Sequence, residues 1–229
     1  MKTKASKTTS INRFERKWDI GGNVDTTAFL IAILRSNFMF TESYGSRNIN
    51  TIYFDDVDCT SISENLDGVR FKKKYRLRWY GNSEVISKPQ IEIKSKNGLI
   101  GKKTTFPLDI YKDIKLDHDG LEEISDIFVK KIKINKILYP ILSTHYLRHY
   151  FLSSNKHIRA TFDKSLKSLQ MYGFKNLIFK KDFNNSIFEI KYNKNYDNYV
   201  KENIKDISLR ISKSSKYVTT ALNKPISFS

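Results

Sequence analysis

Lys72, Lys74, Arg76 and Arg78 stand at alternate positions in the stretch FKKKYRLRWYG, residues 71–81. Read as a strand, this spacing puts the four cations and Tyr80 on one face, each about 6.6 Å from the next. Phe71, Lys73, Tyr75, Leu77 and Trp79 take the other face. A row of cations with no acid among them repels itself unless an anion lies along it. The chemistry that suits such a row is the gripping of a polyanion, because an arginine fork matches a pair of phosphate oxygens.

A second pattern repeats along the chain. Glu15-Arg16-Lys17, Glu92-Ile93-Lys94 and Glu189-Ile190-Lys191 are the same triplet in three separate stretches. Period two places each Glu and Lys together on one face, with Phe14 and Trp18, Ile91 and Ile93, or Phe188, Ile190 and Tyr192 opposite. Arg159, Thr161 and Asp163 oppose Ile158, Ala160 and Phe162 in the same way, and Tyr146, Arg148 and Tyr150 oppose Leu147 and Phe151. Singly, each triplet is explained by an antiparallel sheet with one solvated face. Together they also fit a sheet closed into a barrel whose charged face lines the interior, its cations for a polyanion and its glutamates for an accompanying metal ion.

The elements that must position these residues follow from local signals. INRFERKWDI reads as a strand, and GGNVDTTAFLIAILRSN as turn, cap and helix, with Asp25 as the N-cap. INTIYFDDVD is a strand ending in a turn, and TSISENLDG a short loop or single turn. A hairpin is expected about Asn97-Gly98. HDGLEEISDIFVKKIKINKI has helical spacing, with acids early and lysines late. From Pro140 to Tyr192 the pattern returns to strands, and DNYVKENIKDI and a stretch from about Lys213 close the chain as helices. The expected fold is α+β: an antiparallel β-barrel tunnel with a charged interior, packed outside by helices. Residues 1–10 read as a flexible tail and 11–229 as a single domain.

Composition bounds the rest. A chain of 229 residues with net charge +17 and 13% aromatic residues is a folded, strongly basic protein, which points to an anionic partner. The single cysteine, Cys59, excludes an intrachain disulfide and a cysteine-built zinc site. The longest apolar run, Ala28 to Leu34, falls far short of the ~20 residues that span a bilayer, so a soluble cytoplasmic protein is expected. His145 and His149 read as structural, GLIGKK as a hairpin turn, and Asp55, Asp56 and Asp58 as a solvated turn. Nucleic-acid binding is disfavoured, because in most strands the aromatic residues fall on the face opposite the cations.

TIYFDD, YRLRWYG, IEIK and FEIKY, in this order and spacing, resemble the VTC domain of polyphosphate polymerases, over about Arg13 to Val218. That domain belongs to the triphosphate tunnel metalloenzymes, with the CYTH triphosphatases. The resemblance implies Arg76 and Arg78 as the pair that holds a nucleotide's phosphates, and Lys17, Lys94, Arg148, Arg159 and Lys216 as further tunnel cations. It also implies Glu189 as a metal ligand, with Glu15 beside it, and one further lysine that is either Lys102 or Lys103. It implies Mn²⁺ or Mg²⁺ as cofactor, ATP as substrate and inorganic polyphosphate as partner and product. Hydrolysis of triphosphates in the same tunnel, and a silent polyphosphate-binding module, are the alternatives. Where the family has an aromatic after YFDD, this chain has Cys59, Thr60 and Ile62.

Overall fold

A computed structural model describes residues 7–11, 13–21, 24–98, 100–108, 110, 112–134, 136–171, 177–204 and 215–222. The chain begins with β1 (Lys7–Ile11), β2 (Arg13–Ile20), α1 (Thr26–Leu34) and β3 (Thr41–Asp55). Next come α2 (Thr60–Leu66), β4 (Phe71–Tyr80), β5 (Val85–Ile86), β6 (Gln90–Asn97), β7 (Ile100–Pro107) and β8 (Ile114–Lys115). It continues through α3 (His118–Ile132), β9 (Tyr139–Leu152), β10 (Arg159–Met171), β11 (Leu177–Phe183) and β12 (Ser186–Asn193), and ends with α4 (Asp197–Asn203) and α5 (Lys216–Leu222).

The local signals act as expected. The Asp25 carboxylate accepts from the Thr27 and Ala28 amides at the start of α1, and Asp117 does the same for Gly120 in α3. Gly120 sits where α3 meets β8, and a Cβ there would lie 1.9 Å from the Lys115 carbonyl oxygen. Gly98, at φ +58°, makes the tight turn between β6 and β7. Residues 7–10, expected as part of a tail, run in β1 along β7, with Lys7 opposite Thr105. The loop expected around residue 60 is the helix α2.

Ten strands form one antiparallel sheet in the order β1-β7-β6-β4-β3-β9-β10-β12-β2, with β11 paired to β10 off this path. Its outer face carries the apolar residues and the helices. Trp18, Phe162, Phe188 and Ile190 pack with Phe29, Leu30 and Ile33 of α1 and Val200 of α4. Leu77, Trp79 and Ile91 pack with Leu121, Ile124 and Phe128 of α3, where Phe128 stacks on Phe54. The inner face carries the charges, so the α+β class and the inside–outside sorting agree with the alternation.

The sheet does not close into a hydrogen-bonded barrel, which corrects the expected closed tunnel. The ends of the path are β1 and β2, and a single residue separates them in the chain. Strands that follow one another end to end cannot pair side by side, since an antiparallel pair needs a reversal and a parallel pair a crossover. The sheet is nevertheless curled. β4 and β2 are five ladder steps apart, which in a flat sheet is about 24 Å. Yet Lys17 of β2 is among the charges that depress the pKa of Lys74 on β4, and Lys94 of β6 acts on Glu15 of β2. The inner face therefore wraps round a groove, and α5 packs into it against Tyr53 of β3 and Leu142 of β9. No helix among the described residues is long and apolar enough to cross a membrane.

Candidate functional site

Register decides which side chains meet on the inner face. Across β4 and β6, Arg76 lies opposite Glu92, Lys74 opposite Lys94, and Arg78 opposite Gln90. Across β6 and β7, Lys94 lies opposite Lys103. That settles the choice between neighbouring lysines: Lys103 points into the groove, and Lys102, one residue out of phase, is exposed on the other side.

Three carboxylate-centred clusters result. In the first, the Arg76 guanidinium donates from Nε to Glu92 at 2.6 Å, with its terminal nitrogen at 2.5 Å. Arg78 approaches the same oxygen at 3.5 Å, and Lys103 pairs with the other. Glu92 is 3% exposed. Burial opposes its ionisation, but Arg76, Arg78 and Lys103 outweigh that and hold its pKa far below the usual carboxylate range.

The second cluster centres on Asp163 of β10, opposite Arg148 of β9. Arg148 grips it with two parallel bonds of 2.6 and 2.7 Å, and Lys216 of α5 pairs with it from inside the curl. Burial again resists ionisation of Asp163, and Lys216 and Arg148 reverse the sign. Tyr146 lies between them, with Lys216 over its ring at 4.9 Å and Arg148 at 5.3 Å.

The third joins β2 and β12, where Lys17 lies opposite Glu189 and Glu15 opposite Lys191. Lys17 pairs with Glu15, and Lys191 pairs with Glu189 and, at 3.8 Å, with Glu15. Burial opposes ionisation of Glu189, but Lys191, Lys17 and Arg148 keep its pKa far below the usual range. Its buried Oε1 is the oxygen that Lys191 meets.

Two lysines stand between the clusters. Lys74 donates to Ser215 Oγ at 2.8 Å and lies over the Tyr217 ring at 5.3 Å. Burial, with Lys94 and Lys17 adding repulsion, pushes its pKa down to about 7. Burial also lowers the pKa of Lys94. The α5 segment that touches Lys74 is anchored from below: the Tyr217 hydroxyl donates to Asp55 at 2.9 Å, and its ring stacks on Tyr53. Asp55 is fully buried, accepting also from the Asp56, Ser61 and Ile62 amides. Of the turn read as solvated, Asp58 is exposed, whereas Asp55 and Asp56 are buried and accept from amides at the start of α2.

Lys17, Arg76, Arg78, Lys94, Lys103, Arg148, Lys216, Glu15 and Glu189 all share the groove. Arg159 shares the face by register, opposite Lys191, but it is exposed and makes no ion pair among the described residues. Sequence reasoning had Lys74 in the row of cations and Glu92, Asp163 and Lys191 on charged faces, but missed Glu92 and Asp163 as the acids that hold the cations in place. The alternation already put them on the right face; only the pairing register joins them to their partners. His145 belongs elsewhere, bonded to Asn50 and Ser143 at 2.9 Å each on the outer side.

The groove carries more cations than acids, so its own carboxylates leave charge for an anionic ligand. Among the described residues no three or more of His, Cys, Asp and Glu are grouped to hold a metal ion. Glu189 lies close enough to Glu15 to oppose its ionisation, although Lys17, Lys191 and Lys94 leave the Glu15 pKa lowered overall, and the buried Oε1 of Glu189 faces the Lys191 ammonium. A pair of carboxylates fits a Mg²⁺-type ion whose other ligands are substrate phosphates and water.

In fold, the chain is similar to a candidate adenylate cyclase from Vibrio parahaemolyticus, with TM-score 0.50 and 12% identity over 91% of this chain and 97% of that one. It is also similar to another from Bacillus halodurans, with TM-score 0.50 and 12% identity over 93% and 100%. A candidate adenylyl cyclase from Hippeastrum, described as having dominant triphosphatase activity, gives TM-score 0.48 and 14% identity over 93% and 98%. No curated protein is detectably similar in sequence. At these identities the structural likeness is one of fold. Residues 1–222, nearly the whole length, match the VTC domain, and the chain belongs to the VTC domain family.

Proposed function

We propose that this protein is an ATP-dependent polyphosphate polymerase, and that its groove transfers the γ-phosphoryl group of ATP to a growing chain of inorganic phosphate. The observation that carries the reading is the cluster in which Arg76, Arg78 and Lys103 converge on buried Glu92. Phosphoryl transfer asks a protein for positioning and for charge placed where the transition state needs it. A cluster held by an internal carboxylate is preorganised for both, because the cations are in place before any phosphate arrives.

In the transfer, a terminal oxygen of the acceptor chain attacks the γ-phosphorus while the bond from that phosphorus to the bridging oxygen of ADP breaks. The acceptor oxygen is already ionised, so no general base is required. Arg76 and Arg78 take phosphate oxygens through their forks, Arg148 does the same from β9, and Lys216 adds a point charge from α5. Lys17, Lys94 and Lys103 supply point charges. Arg159 sits at the edge, where it guides an incoming or outgoing chain. Glu189 and Glu15 are the residues that would hold Mn²⁺ or Mg²⁺, which when bound neutralises charge shared between adjacent phosphates.

The test is purified protein with ATP and Mn²⁺, scored for ADP, orthophosphate and long phosphate chains on a gel. A ladder with matching ADP is expected. Orthophosphate without a ladder would make the protein a triphosphatase, and tight polyphosphate binding without turnover would make it a binding module.

A further inference from the structure

Beyond the carboxylate-centred clusters, the charged face ends in a group of side chains to which no role has been given. The guanidinium carbon of Arg47 on β3 lies 5.7 Å from the ring centre of Tyr44, and 5.9 Å from those of Tyr80 and Tyr150. Tyr44 and Tyr150 meet edge to face at 5.9 Å. Register puts all four on the inner face, with Arg47 opposite Arg148, Tyr44 opposite Tyr150 and Tyr80 opposite Ile49. Tyr80 lies two residues beyond Arg78, and Tyr150 two beyond Arg148, a step of about 6.6 Å along each strand. The helix α5 covers the other end of these strands, at Tyr53 and Leu142.

Two observations separate this group from ordinary packing. Tyr44 is 62% exposed and Tyr80 43% exposed, so the rings bury little of their area. Arg47 makes no ion pair among the described residues, although it stands directly opposite the like charge of Arg148, an arrangement that is unfavourable without a counter-charge. Other cations of this face, such as Arg76, Arg148 and Lys216, each have a carboxylate.

We infer that this mouth binds the base of a nucleoside 5′-triphosphate whose phosphates lie on Arg78 and Arg148. The inference rests on the reading of the groove as a nucleotide-phosphate site and adds the residues that take the base and the lack of selectivity among bases. Exposed tyrosines and a guanidinium plane stack on any base through its π face, so adenine and guanine are accepted alike. Arg47 also gives the phosphate nearest the ribose a partner. The groove thereby acquires a direction, with the nucleoside at the tyrosine end and the terminal phosphates inward.

The experiment measures binding of ATP, GTP and inorganic tripolyphosphate, each with Mg²⁺, by calorimetry. The proteins are the wild type, the pair Tyr44→Ala with Tyr80→Ala, the pair Tyr44→Phe with Tyr80→Phe, and Arg47→Gln. The alanine pair should weaken ATP and GTP by about tenfold or more, leave tripolyphosphate within about twofold, and be rescued by phenylalanine. Arg47→Gln should weaken ATP more than tripolyphosphate, and it serves as the deciding variant where the alanine pair does not fold. A 5′-triphosphorylated oligonucleotide that loses affinity like ATP supports the same mouth for a nucleic-acid end. Equal losses for ATP and tripolyphosphate, or no loss for ATP, would overturn the inference. ATP bound by both variants as tightly as by wild type overturns the inference alone, whereas wild-type protein that binds tripolyphosphate but not ATP also removes ATP as the phosphoryl donor. Failure to bind any of the three removes the phosphate groove and the base site together.

Discussion

Arg76 and Glu92 face each other across the β4–β6 ladder, and the guanidinium reaches the carboxylate at 2.6 Å. The pair makes the row of cations tolerable in the absence of ligand, and it also makes Glu92 a competitor of any phosphate that enters. Glu92→Gln should therefore destabilise the protein by about 3 kcal/mol, the scale for removing one partner of a buried ion pair. The same change should enlarge the rise in melting temperature given by tripolyphosphate, since Arg76, Arg78 and Lys103 then have only the ligand to neutralise them. Unchanged melting with and without tripolyphosphate would remove Glu92 from this role.

Arg76→Ala leaves Glu92 paired with Arg78 and Lys103, so the fold should survive with a melting temperature lower by a few degrees. Turnover should not survive: kcat/KM should fall by about a thousandfold, the scale for losing a guanidinium that stabilises a transferring phosphoryl group. Loss of folding with normal specific activity in the remaining protein would count against the assignment.

Glu189→Gln bears on metal binding. It takes the charge from the carboxylate between Lys17 and Lys191 and should weaken Mn²⁺ binding, read by electron paramagnetic resonance, together with metal-stimulated turnover. Mn²⁺ affinity equal to wild type would move the metal to another site.

Lys74 gives a pH signature. Its pKa in the folded protein, about 7, lies below its ordinary 10.5. Between those values the unfolded chain holds more protons, so this residue makes stability rise with pH across that window, and its full cost is present below about pH 7. Stability from pH 7 to 10 should climb less steeply in Lys74→Met than in wild type. At pH 8 a bound polyanion should protonate the amine, so titrating tripolyphosphate in buffers of different ionisation heat should show proton uptake that Lys74→Met lacks.

Tyr217→Phe removes only the bond to buried Asp55. A loss of about 1–2 kcal/mol is expected, with faster proteolysis of the segment around α5. Wild-type protease resistance would mean that stacking on Tyr53 alone holds the helix.

The alternation of charged and apolar residues was sufficient to sort the two faces, because a strand has one period and an outer face covered by α1, α3 and α4 tolerates only one phase. Arg76, Arg78 and Lys17 were legible for that reason. The identity of their partners was not, since whether Lys102 or Lys103 meets Lys94 depends on a hairpin register that neither strand contains alone. The burial of Asp55 was hidden for a related reason: a run of aspartates looks solvated until Tyr217, from the far end of the chain, is placed over it. The seam between β1 and β2 escaped notice because INRFERKWDI reads as one strand, while its flanks bond to opposite edges of the sheet.

That seam ties assembly to the whole length of the chain. Lys17 meets Glu189 only when β12 exists, so β2 stays without its neighbour until most of the protein has been made. Joining such distant segments carries a large loop-closure cost and slows folding. A nascent or truncated chain has no third carboxylate cluster, and the groove forms late and as a whole rather than by parts.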